Sequence, residues 1–225
     1  MDEIFQREQF ELDDVLKFID DNKLIAVVRT SDAEDASAVA HAILAGGFKV
    51  IEISMNTPQA AKLIETLSKK ENVFVGAGSI SDGETAQRAV NAGAKFISCH
   101  FTDKAILTIC KNNSTLVIQG AATPTEIMDA QEIGADLINL YPIDLIGGSL
   151  FLRRIRKLFT GPSRFVVCGG VNCENFMDYL RDGAMALEIG SSLSDKALIR
   201  AHNWQEITER AKKFQQKLET LRVAK

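Results

Sequence analysis

The chain has 225 residues, 46% of them hydrophobic and 25% charged, with a formal net charge of −4. That length can bury a core without disulfide or metal staples, and the acidic balance argues against a general nucleic-acid binder. Cys99, Cys110, Cys168 and Cys173 form no CxxC pair, no apolar run reaches the length of a membrane span, and the opening MDEIFQREQF is not the basic-then-apolar pattern of a signal peptide. The chain therefore reads as cytoplasmic, with reduced thiols and neither nucleic acid nor membrane as a partner.

An amphipathic helix is predicted near Phe10–Asp20. Eight short, mostly apolar runs follow, at Leu24–Arg29, Val50–Ser54, Val73–Ala77, Phe96–Ser98, Leu116–Gln119, Leu137–Tyr141, Phe165–Cys168 and Ala186–Gly190. Continuous apolar runs of this length suit parallel strands buried on both faces. Helix starts separate them: Asp32 before Ala33–Leu44, Thr57-Pro58, Asp82 before Glu84–Asn91, and Thr123-Pro124. Glycines at Gly46-Gly47, Gly93, Gly134 and Gly183 precede strands, where a left-handed residue would end each helix. A charged final helix begins near Asn203. Eight strands alternating with helices predict an α/β fold, a (β/α)8 TIM barrel with an N-terminal capping helix, as a single domain over residues 1–225.

In such a barrel, function sits at the C-terminal strand ends. Glu52 lies inside an apolar strand, so its carboxyl needs a partner and is suited to proton transfer. An ion pair with Arg29 would be its structural role, and the two roles are compatible. After the seventh strand come Gly169-Gly170, with Asn172 as a helix cap, and after the eighth Gly190-Ser191-Ser192. Bare backbone N–H groups and a hydroxyl at this place can hold a phosphate. The plainer reading is that these glycines only turn the chain.

The segments LIAVVR, AGGFKVIEISMNT, VFVGAGSI, AGAKFIS, LINLYP, VCGGV and EIGSS together resemble the 2-keto-3-deoxy-6-phosphogluconate and 4-hydroxy-2-oxoglutarate aldolases, from about Leu24 to about Asp195. The resemblance implies a homotrimeric barrel that cleaves 2-keto-4-hydroxy acids to pyruvate and an aldehyde through a lysine Schiff base. It implies Glu52 as proton shuttle, Ser79 in place of an assisting threonine, and Gly169, Gly170 and Ser192 as a phosphate site. Two positions depart from the family. The Schiff-base lysine position, three residues before Pro142, holds Asn139, and the carboxylate-binding arginine position holds Asn56. Cys99-His100 replaces a proline-glycine pair, and Gln119 replaces a proline.

An amide nitrogen is not nucleophilic, so Asn139 cannot form the Schiff base. Lys23, Lys49 and Lys95 begin strands, roughly a strand length of ~15–20 Å from the mouth, and Lys104 begins a helix facing solvent. The expected function is that of a lyase scaffold that acts on or binds a small anionic 2-oxo acid or sugar phosphate. The expected catalytic residues are Glu52, Ser79 and Asn139. The expected substrate-binding residues are Arg29, Asn56, Gln119, Gly169, Gly170 and Ser192. A non-catalytic binder of a phosphorylated metabolite is the alternative. A metal held by Glu52, His100 and Asp144 would supply an electron sink, but no spacing motif supports it, so neither metal nor cofactor is expected.

Overall fold

The computed structural model describes residues 12–159 and 164–223. The first helix is α1 (Leu12–Asn22), and the strands are β1 (Leu24–Val28), β2 (Val50–Ser54), β3 (Phe74–Gly78), β4 (Phe96–Ser98), β5 (Leu116–Ala121), β6 (Leu137–Leu140), β7 (Phe165–Cys168) and β8 (Ala186–Ile189). Between them lie α2 (Ala33–Ala45), α3 (Ala60–Leu67), α4 (Gly83–Asn91), α5 (Lys104–Asn112), α6 (Pro124–Ile133), α7 (Gly148–Ile155) and α8 (Phe176–Arg181); α9 (Lys196–Arg200) and α10 (Trp204–Val223) follow β8. The strands pair in parallel in chain order, and β1 closes on β8. The predicted (β/α)8 barrel is thus the observed fold.

Alternation along each strand sorts the side chains into two cores. Val50, Phe96, Leu137 and Ala186 from the even strands, with Ile25, Phe74, Leu116 and Val166 from the odd ones, fill the lower barrel interior. Helix α1 plugs that end through Val15 and Ile19, and Phe18 stacks on Phe74 with ring centroids 3.8 Å apart. The alternate residues, among them Ala26, Ile51, Ile53, Val75, Ile138 and Leu187, face the helical ring.

The local helix signals mostly hold. Asp32 and Asp82 accept from first-turn N–H groups, and Thr123 forms a capping box with Glu126. Gly47, Gly93, Gly134 and Gly183 all adopt φ between 96° and 98°, the left-handed geometry that stops a helix. Two starts differ. Thr57-Pro58 does not open α3, which begins at Ala60 after a left-handed Gln59; instead the Thr57 hydroxyl accepts from the Thr30 N–H at 3.3 Å. Asn172 caps a preliminary turn through the N–H groups of Glu174 and Asn175, and α8 proper starts at Phe176. The first helix is described over Leu12–Asn22, ending two residues past the expected Asp20, while the expected start at Phe10 lies outside the described residues. β1 ends at Val28, leaving Arg29 on the mouth, β3 and β5 run on to Gly78 and Ala121, and β6 and β8 stop one residue early.

Candidate active site

Two residues above the lower apolar layer, the even strands again point inward. They contribute Glu52 from β2, Ser98 from β4, Asn139 from β6 and Glu188 from β8, each at most 2% exposed. Four side chains from alternate strands make one layer of a (β/α)8 barrel, and here the layer is polar. Its hydrogen bonds centre on Glu188. Ser98 Oγ donates to Glu188 Oε1 at 2.9 Å, and Asn139 Nδ2 donates to Glu188 Oε2 at 2.9 Å. The Cys168 thiol, which ends β7, and the Glu52 carboxyl lie close enough to Glu188 for its charge and hydrogen bonding to act on both.

Burial, then the charge and hydrogen bond of Glu188, hold the Glu52 carboxyl well above the ordinary carboxylate range, against smaller opposing effects of Ser98 and Arg29. The backbone makes room for it at Gly78, where an added Cβ would fall 1.8 Å from Glu52 Oε1. The expected ion pair between Arg29 and Glu52 does not form. Arg29 stays exposed and donates from Nη2 to Ser79 Oγ at 2.7 Å, and Ser54 Oγ donates to the same oxygen at 3.0 Å. Arg29 is thus held at the mouth by the hydroxyl at position 79, and acts on Glu52 only at longer range.

His100, just past β4, stacks on Tyr141 with centroids 4.1 Å apart, and burial lowers its pKa so that the ring is neutral at pH 7. Burial and the Glu188 and Glu52 carboxyls push the Cys168 thiol well up, so it is not a thiolate nucleophile. Three buried polar atoms here have no partner: Glu52 Oε2, Asn139 Oδ1 and His100 Nδ1.

The other predicted residues are dispersed. Gln119 lies next to the inward-facing Ile118 and so points out of the barrel, where its amide accepts from the Asp103 N–H at 2.7 Å and donates to the Asp103 carbonyl at 2.8 Å. Asn56 is exposed in the turn after β2. Gly169 and Gly170 take φ of 106° and 61°, and the Asp144 side chain packs against both, 2.7–2.9 Å from where a Cβ would stand. Ser192 Oγ donates to the Val171 carbonyl at 2.7 Å. Among the described residues no lysine is buried, and no three His, Cys, Asp or Glu side chains form a metal-binding group. The sequence reading missed Glu188 altogether. Its signal was the same as that of Glu52, a lone carboxylate in an apolar strand.

A (β/α)8 barrel with a buried carboxyl-bearing layer below its C-terminal mouth and an arginine at the rim belongs to the class of barrels that carry their site at that face. Comparison narrows the class. The chain matches the KDPG and KHG aldolase family model over residues 15–210, and it belongs to that family. It is 29% identical over 187 residues to a 2-dehydro-3-deoxy-phosphogluconate aldolase of Treponema pallidum, covering 83% of this chain and 89% of the relative. It is 28% identical over 189 residues to the enzyme of the same name from Pseudomonas aeruginosa, covering 82% and 84%. Its structure superposes with a TM-score of 0.79, at 28% identity and over 90% of this chain and 97% of the other, on KDPG aldolase from Legionella pneumophila with pyruvate captured as a covalent carbinolamine.

Proposed function

We propose that this chain is a carbon–carbon lyase that takes a 2-oxo acid at the barrel mouth and works without a covalent amine intermediate. The observation that carries this reading is Asn139. It occupies the layer position where the family resemblance places the lysine, it is fully buried, and its amide is bonded to Glu188. The relative from Legionella pneumophila holds pyruvate as a carbinolamine, which requires an amine. Here Glu52 retains a carboxyl for acid–base work, Ser79 and Arg29 offer a hydroxyl and a guanidinium at the rim, and Asn139 keeps an acceptor oxygen free. Asn56, Gly169, Gly170 and Ser192 line the outer rim, where Asp144 would flank any phosphate. Gln119, turned out of the barrel, holds the backbone of Asp103 and takes no part in the site.

The test is direct. Pyruvate binding is measured by calorimetry, and the protein is then treated with pyruvate and borohydride and weighed intact. Binding without a trapped adduct is expected; a trapped adduct would show a reactive lysine and overturn the reading. Aldol-cleavage and oxaloacetate-decarboxylation assays follow, with phosphorylated and unphosphorylated substrates in parallel. The binder reading draws on the same Asn139–Glu188 bond, which ties up the group nearest the chemistry. Pyruvate binding with no turnover of any 2-oxo acid would favour it.

The reverse experiment uses Asn139→Lys, which sets an ammonium between two carboxyls in a charge-balanced site. Combined with Asn56→Arg, it is expected to yield a borohydride-trapped pyruvate adduct, read as a mass increase.

We further propose a homotrimer. Phe101, Met128, Leu145, Leu150 and Leu158 are large apolar side chains exposed on the consecutive connections from β4 to β7, on one arc of the barrel.

A further inference from the structure

Glu188 is the hub of the polar layer. Each of its oxygens is held by a separate donor, Oε1 by Ser98 and Oε2 by Asn139, and the Cys168 thiol reaches it from β7. A carboxylate so supplied is satisfied as an anion. Glu52 is placed differently. It has no cation within ion-pair distance among the described residues, its Oε2 is buried with no partner, and its Oε1 lies against the backbone of Gly78, with Glu188 and Ser98 as its polar neighbours. Two charges cannot sit side by side at the dry centre of a barrel, so a single proton must be held between these two carboxyls. Asn139 serves Glu188 alone and Ser98 acts on Glu52 more weakly than Glu188 does, so the better-supplied anion is Glu188 and the proton is placed on Glu52. The remaining titratable groups that face the pair are Arg29 beyond β1, His100 beyond β4 and Cys168 at the end of β7. Arg29 alone carries a positive charge, and it is exposed and bonded to Ser79.

We propose that Glu188 is a positioning residue that keeps Glu52 in its acid form at neutral pH, so that the empty site meets its ligand with a proton donor. The ligand chemistry that fits is a carbonyl or enolate oxygen, such as the ketone of a 2-oxo acid, accepting a hydrogen bond from the Glu52 carboxyl. In a site without an amine, this acid group draws electron density toward the ketone oxygen. Only the identity of the ligand rests on the function proposed above.

The test reads protonation on the unliganded protein. Infrared difference spectra are recorded while the wild type, Glu52→Gln and Glu188→Gln are titrated. The wild type is expected to show the carbonyl stretch of a protonated carboxyl at pH 7, and Glu52→Gln to lack it. In Glu188→Gln the midpoint of that band is expected to fall by ~1 pH unit or more, the effect of removing a like charge at hydrogen-bond range. Should the amide prevent folding, Glu188→Met removes the same charge with an apolar chain of similar size, and the same fall is expected. Absence of the band in wild type at pH 7, or an unchanged midpoint in the folded variant, overturns the proposal. Burial of Glu188 as mere structure would not move that midpoint. Pyruvate binding is scored separately, so failure of the 2-oxo acid reading and failure of this one are distinguishable.

Discussion

A carboxyl group survives at the centre of a barrel only where the backbone leaves space for it and a neighbour shares its proton. Gly78 provides the space, since any side chain at that position would meet the Glu52 carboxyl. Gly78→Ala is expected to cost about 1–3 kcal/mol through overpacking and to displace Glu52. Urea unfolding measures the first effect, and loss of the protonated-carboxyl band at pH 7 reports the second. The pH dependence has a definite sign. The Glu52 pKa is raised in the folded state above its ordinary value of 4.5, so the folded protein binds the extra proton. Stability from this group is fully present below about 4.5 and is lost as pH rises through the folded pKa. Wild type is therefore expected to lose stability across that window relative to Glu52→Gln, whose amide donates to Glu188 at every pH. Parallel melting curves at several pH values check this; identical slopes would mean Glu52 is not the titrating group. Glu52 in VIEIS and Glu188 in ALEIG carry the same sequence signal. What the sequence could not convey is that the two meet, because that depends on β2 and β8 projecting into one layer of a closed barrel.

Elements were legible wherever a local rule governs. N-cap carboxylates, the Thr123 capping box and left-handed glycines need only their own few residues, and these stand as read. The errors arose where a distant partner decides. Thr57 looked like a helix cap but serves the Thr30 N–H on the neighbouring βα connection. Gln119 looked like a mouth residue because it ends an apolar strand, yet strand alternation turns it outward to the β4–α5 connection. There its amide pairs both backbone groups of Asp103, the residue whose side chain caps α5 by accepting from the Ile106 N–H at 2.8 Å. Gln119→Ala is expected to leave the Asp103 N–H unpaired, at about 1–3 kcal/mol, while the Asp103 carbonyl keeps its bond from the Leu107 N–H. The loss should appear in urea unfolding and as faster amide exchange at the start of α5. A variant of unchanged stability would show that water replaces the amide.

At the scale of the molecule, the barrel's two ends and its flank divide the work. Helix α1 and the lower apolar layer close one end, so the polar layer opens only toward the other. The flank from β4 to β7 carries the apolar arc, and Leu145 at 81% and Leu158 at 66% exposure are more open than a monomer's surface leucines need be. Both belong to the β6–β7 connection, which begins beside Asn139 and packs Asp144 on Gly169 and Gly170. An assembly built on this arc would therefore immobilise the loop that borders the mouth. Leu145→Asp with Leu158→Asp places two charges on the arc without touching the core. Light scattering is expected to give a trimer for wild type and a shift toward monomer for the double variant, with the far-ultraviolet dichroism of the barrel unchanged. If the loop is ordered by assembly, pyruvate should bind more weakly to the monomeric variant, while the protonated-carboxyl band of the buried layer persists. A trimer that withstands both charges would place the interface elsewhere on the barrel and free the β6–β7 connection to move independently of assembly.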